Sequence, residues 1–120
     1  MKIQKFEDIV AWQKSQELAV ELYNIFKTCK DYEFKNQICR AGVSISNNIA
    51  EGFDRSSNIE FKRFLYISLA SCSEVRSMLY IGDKISLISK NNKEDLINKT
   101  SEISKIIRGL IKSLKLEIKK

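Results

Sequence analysis

Six polar residues in one short stretch are spaced so that they can act together: Gln37, Arg40, Ser44, Asn47, Asn48 and Glu51. At about 100° per residue they share one band of a helix, roughly 100° wide. Hydrolysis or acyl transfer needs a nucleophile beside a base. Ser44 has only Arg40 and Asn48 one turn away, and the chain contains no histidine, the commonest general base and nitrogen ligand. Glu51 could share a divalent cation with Glu60 or Glu74 if a loop folded them together. No EF-hand, P-loop or paired E-x-x-H pattern supports such a site. The expectation is a non-enzymatic chain with no cofactor and no metal. Two uses of the band stay open. One is a ligand pocket. The other, which fits short uncharged polar side chains better, is a network joining helices or subunits. In it Arg40 would reach Glu74, Glu51 would reach Arg55 or Arg63, and the amides of Gln37, Asn47 and Asn48 would bridge.

A second constellation is electrostatic. Lys105, Arg108, Lys112, Lys115 and Lys119 recur at intervals of three and four and project into an arc of about 80°. Only Glu102 and Glu117 interrupt that neighbourhood. The ridge is some 20 Å long at about 1.5 Å per residue. It attracts phosphates by counterion release without reading sequence, with Arg55, Lys62 and Arg63 as candidate helpers. The bias is regional: residues 1–60 carry eight Lys/Arg against nine Asp/Glu, whereas residues 61–120 carry thirteen against six. A basic half points to an acidic partner, RNA or DNA first. The alternatives are a solvated lysine-rich surface, or a scaffold for a partner protein whose charge only aids solubility and steering.

Helices must position these groups. The chain has 120 residues, no proline and four glycines, a composition for one all-α domain spanning residues 1–120. A first helix is expected from an Asp8 cap to about Cys29, and a second from about Glu33 to Ala50 or Glu51, stopped by Gly52 at C′. Ser57-Asn58-Ile59-Glu60 is a capping box that opens a third helix reaching about Ser89. Asn92 with Asp95 would cap the fourth, which extends to about Ile118. Short loops between long helices predict an antiparallel up-down-up-down four-helix bundle.

In the third helix Phe61, Leu65, Ser68, Cys72, Val75, Leu79 and Gly82 form a heptad-like seam. A second apolar line (Phe64, Ile67, Met78, Ile81, Ile85 and Ile88) lies beside it. That exceeds what one core covers, so a homo-oligomer is expected. Cys29, Cys39 and Cys72 are odd in number and have no C-x-x-C spacing, which reads as reduced thiols. The N-terminus has no signal-peptide pattern, and no apolar run approaches the roughly 18 residues of a membrane span. A cytoplasmic location without membrane contact follows by default.

With these segments placed, the chain resembles the bacterial four-helix-bundle family named for members encoded within intervening sequences of 23S ribosomal RNA genes, also labelled S23 ribosomal protein. The matching residues are Phe6, Ile9 and Trp12-Gln13-Lys14; Glu33, Gln37, Ile38 and Arg40; the run from Val43 to Gly52; Arg55; Glu60-Phe61 and Phe64-Leu65; and Ala70-Ser71 with Glu74. The chain departs from the family pattern in having no proline before Glu33 and in carrying Ala70 where glycine is common. The resemblance implies a ring of five bundles. It also extends to the accessory proteins of diversity-generating retroelements, which are basic pentameric bundles that bind nucleic acid and a reverse transcriptase.

Overall fold

A computed structural model describes residues 3–114. A 3-10 turn, Phe6–Asp8, leads into α1 (Val10–Ile25), followed by α2 (Tyr32–Phe53), α3 (Asn58–Lys84) and α4 (Lys90–Ser113). Among the described residues no strand is present. α1 packs on α2 and α4, and α3 packs on the same two, so the four helices surround a shared core. Leu18, Leu22 and Phe26 meet Ile38, Ile45 and Ile49, Leu65 and Leu79, and Leu96, Ile103 and Ile107 there, all essentially without solvent exposure.

Local chemistry starts three of the helices. The Asp31 carboxylate accepts from the Phe34 amide at 3.1 Å, Ser57 Oγ from Glu60 at 3.1 Å, and Ser89 Oγ from Asn92 at 3.1 Å. Each satisfies one amide that a first turn leaves without a partner. Half of the expected capping box therefore forms as read, while the Glu60 carboxylate turns to Arg63 at 3.2 Å. Asp8 does not cap α1. The cap position is Ile9, which makes no side-chain cap bond, and the entry is held by Gln13 Nε2 donating to the Glu7 carbonyl at 2.9 Å and by Phe6 against Trp12. α1 also stops four residues before Cys29, where Phe26 docks on Phe34 with ring centroids 5.6 Å apart.

Two boundary expectations fail for identifiable reasons. Gly52 does not end α2 but lies buried inside it, with no left-handed backbone among the glycines. Its role is close approach: a Cβ there would sit 2.5 Å from Phe64 Cβ on α3. α3 ends at Lys84, not Ser89, because Ser86 adopts φ 65°. The Leu87 amide then reaches back to the Gly82 carbonyl at 2.8 Å and the Ser86 amide to Asp83 at 3.2 Å. This is a Schellman termination with serine where glycine is usual, and it frees Ser89 to cap α4 in place of Asn92 and Asp95.

Every member of the α3 seam from Phe61 to Gly82 is buried. The second apolar line divides: Phe64, Met78 and Ile88 are buried, whereas Ile67, Ile81 and Ile85 are 39%, 49% and 53% exposed. Ser68, the polar member of the seam, donates to the Ile45 carbonyl at 2.8 Å and ties α3 to α2.

Candidate nucleic-acid interface

Lys105, Arg108 and Lys112 project from α4 into solvent, and Lys115 and Lys119 lie outside the described residues. Ion pairing elsewhere on α4 explains why these cations stand unbalanced. Glu102 faces the other way and meets Lys14 of α1 at 3.7 Å. Asp95 takes Lys99 at 3.0 Å, and Lys99 also reaches Glu21 at 2.7 Å. Those two bonds, to Glu21 first, hold the Lys99 ammonium above its ordinary pKa. At the start of the helix Lys93 bridges Glu94 at 3.1 Å and Asp83 at 3.3 Å. Among the described residues no carboxylate pairs with Lys105, Arg108 or Lys112.

The candidate helpers behave differently from one another. Arg55 pairs with Glu51 at 3.9 Å and Arg63 with Glu60 at 3.2 Å, and both guanidiniums lie over the Phe64 ring, at 4.7 and 4.9 Å from its centroid. The Arg63 hydrogen bond in turn holds the Glu60 carboxyl below its ordinary pKa. These two arginines are thus partly neutralised and pinned. Lys62 is half-buried and joins no ion pair among the described residues. The fold does bring Arg55 to the end of α4: a hollow of about 480 Å³ is lined by Ile3, Phe53, Arg55 to Asn58, Phe61, Leu110, Ser113 and Leu114.

Beside the ridge lies a second hollow, of about 170 Å³, between α3 and α4. Tyr66 and Leu69 line one wall, and Arg108, Ile111 and Lys112 the other. Tyr66 is 57% exposed. Neither Tyr66 nor Leu69 was singled out by charge or motif. The available signal was the spacing of Lys62, Tyr66 and Leu69 at four and three residues, which places them along one side of α3. About two turns beyond Leu69, Arg76 is half-buried and its Nε has no hydrogen-bond partner among the described residues. Beneath this edge, burial raises the Cys72 thiol, opposed by a Ser104 hydrogen bond and by the charges of Arg76 and Arg108. The net direction keeps the thiol protonated. Burial likewise raises Cys39.

The polar band of α2 forms only part of the expected network. Gln37 donates to Glu74 at 3.3 Å, taking the carboxylate expected for Arg40. Asn48 Nδ2 donates to the Ser44 carbonyl at 2.8 Å and to Ser44 Oγ at 2.9 Å, and Ser71 Oγ reaches that same hydroxyl at 2.9 Å. Arg40, Asn47 and Glu51 are exposed rather than enclosed, and the Arg40 and Asn47 side chains have no partner among the described residues. A third side of α2 carries only small residues, Cys39, Gly42, Val43, Ser46 and Ala50, and it faces α1: a Cβ on Gly42 would meet Leu22, and Gln16 donates to Ser46 at 3.0 Å.

Among the described residues, no three His, Cys, Asp or Glu side chains converge as a metal site would need, and no helix is long and apolar enough to cross a membrane. Fold and edge together define, among the described residues, an all-α bundle with an unbalanced basic flank on α4. Residues 7–109 match the profile of the 23S rRNA-intervening sequence protein family, and the chain belongs to that family. It is similar to a crystal structure, at 1.70 Å resolution, of a protein of unknown function from the S23 ribosomal protein family of Bacteroides thetaiotaomicron VPI-5482. The two are 30% identical, with a TM-score of 0.81 over 87% of this chain and 96% of that one. Comparison with curated proteins finds no match.

Proposed function

We propose that the protein is a non-enzymatic, cytoplasmic nucleic-acid-binding accessory protein, with RNA as its foremost ligand, acting as a homo-oligomer. The observation that carries the reading is the unbalanced trio Lys105, Arg108 and Lys112 on one exposed edge. The family's link to a 23S rRNA intervening sequence favours RNA over DNA. The protomer is taken as an antiparallel up-down-up-down bundle. Gln37 meets Glu74 while Ser44 meets Ser71, and Lys14 meets Glu102 while Glu21 meets Lys99, so numbers rise on one helix as they fall on its neighbour. The half-exposed isoleucines Ile67, Ile81 and Ile85 are the surface on which copies meet, and a ring of five follows from the family resemblance. Repetition of the basic edge around a ring multiplies weak contacts.

The test joins light scattering to a gel-shift series with RNA at increasing salt. An assembled mass is expected, with retention that falls steeply as salt rises: each neutralised phosphate adds about −0.7 to the log–log slope for single strands. Lys112→Glu with Lys115→Glu abolishes retention while the helical signal stays. A protein that sediments as a single protomer, or fails to retain RNA at low salt, overturns the respective half of the proposal. The competing reading is a protein-interaction scaffold, favoured by the unpartnered Arg40 and Asn47 on the exposed face of α2. A protein partner that survives nuclease treatment during purification from the native host would favour it.

A further inference from the structure

The hollow between α3 and α4 adds something the cationic ridge lacks. Its walls combine an exposed ring, Tyr66, an aliphatic floor from Leu69 and Ile111, and two cations, Arg108 and Lys112, with no carboxylate among the lining residues. Lys62 stands one turn before Tyr66 on the same helix. On the same two helices Glu60 is engaged by Arg63 and Glu102 by Lys14, so neither is free to neutralise the lining cations. A bare phosphate would use the cations and leave the ring idle. A duplex would leave it idle too, because its bases are stacked on one another and present no free face. A single strand uses both: phosphates lie along the cations while an unstacked base covers an aromatic face.

We propose that the Tyr66 groove is a base-stacking subsite for single-stranded nucleic acid, with Tyr66 supporting one base and Arg108 and Lys112 holding the adjoining phosphates. This rests on the nucleic-acid reading above and deepens it. The size of the hollow fits one planar ring on Tyr66 better than a continuous channel, so selectivity is for strandedness, with little preference for which base is bound.

Fluorescence anisotropy with a labelled single-stranded oligo-uridine and a duplex of equal length tests it. Tyr66→Ala is expected to weaken binding of the single strand by roughly 5- to 150-fold, the range for losing one base–aromatic stack. The salt slope should stay unchanged, because no phosphate contact is lost, and the duplex should respond little. Tyr66→Phe keeps the ring and retains affinity. Lys112→Gln instead weakens both probes and lowers the single-strand slope by about 0.7. Should Tyr66→Ala disturb the assembled mass, Tyr66→Leu keeps apolar bulk without a π face and is expected to show the same loss. If Tyr66→Ala and Tyr66→Leu bind oligo-uridine as wild type does, the stacking subsite is refuted while the ridge reading stands. Inorganic polyphosphate binding as tightly as oligo-uridine also refutes it, because the groove then reads charge alone. If wild type retains neither nucleic acid, the underlying reading falls first.

Discussion

Gly52 is the position where a single added methyl group should say most about this fold. In an exposed helix interior, Gly→Ala stabilises by about 1 kcal/mol through backbone entropy. At Gly52 the new Cβ would lie 2.5 Å from Phe64 Cβ and 3.1 Å from Phe61 Cδ1. Phe64 Cβ is fixed to its backbone, so no rotamer change relieves the clash, and α2 and α3 must separate. Overpacking of this kind costs about 1–3 kcal/mol, and a backbone-tied contact belongs at the upper end. The propensity gain offsets part of that, leaving a net loss of about 1–2 kcal/mol. At about 2.1 cal/mol/K per residue, a chain of 120 residues melts about 4 °C lower for each kcal/mol lost. Gly52→Ala should therefore lower the melting temperature by about 4–8 °C. Gly109→Ala is the internal control: nothing lies within 4 Å of a Cβ there, so the propensity gain stands alone and the midpoint should rise by about 4 °C. Circular-dichroism melts of the two variants decide the matter. If Gly52→Ala is as stable as Gly109→Ala, the close approach of α2 to α3 at that point is wrong.

Ser86 holds φ 65° at the end of α3, a conformation that costs a residue with a side chain about 1–2 kcal/mol. Ser86→Gly should stabilise by up to about 1 kcal/mol after the added unfolded-state entropy, read as a higher urea midpoint at unchanged m-value, while Ser86→Val should do the reverse. The Asp83 carboxyl is pushed up by burial, but hydrogen bonds from Lys90 and Lys93 hold it below its ordinary value. A carboxyl lowered on folding contributes stability above its unfolded pKa of about 3.9, and that stability is lost as pH falls through the lower folded value. Asp83→Asn should melt below wild type near neutrality, and the gap should close in acid. A gap that stays constant down to full protonation would rule out the ion pairs as its source.

Helix number and the buried seam of α3 were readable because both rest on periodicity, which the residues carry directly. The termini were less so. Glycine signals a helix end because it serves left-handed backbone, yet at Gly52 the missing side chain serves a contact with Phe64. Ser86 does the reverse, taking the left-handed position without being glycine. Neither exchange of roles can be recognised until the neighbouring helix is in place. At the site, the cations of α4 were readable as a stripe, but their partners were not. That Glu102 turns to Lys14, and that Arg55 and Arg63 close over Phe64, are facts of packing between helices. Tyr66 is legible in the sequence only as one more apolar position on the third helix, and becomes informative as a binding group only when Arg108 and Lys112 stand across from it.

The uneven charge of the chain acquires a location through the same pairings. Basic residues of the second half are consumed where acids are within reach: Lys99 by Glu21 and Asp95, Lys93 by Glu94 and Asp83, Lys90 by Asp83, Arg63 by Glu60. Those bonds sit at the α1–α4 seam, around the α3–α4 turn, and on the first turns of α3 and α4. The middle and end of α4 have no such supply, because the facing stretch of α3 offers serine, tyrosine and leucine, and its Glu74 is bound to Gln37 on the α2 side. Among the described residues, unpaired cations also occur singly elsewhere, as at Arg40 on α2 and Lys62 on α3. On α4, Lys105, Arg108 and Lys112 stand together on one edge and border an aromatic groove. Exposed ion pairs contribute little to stability, so this arrangement does little to hold the bundle together. What it fixes is a cluster of like charge on one edge, and the ring of Tyr66 lies across from two of its members, Arg108 and Lys112.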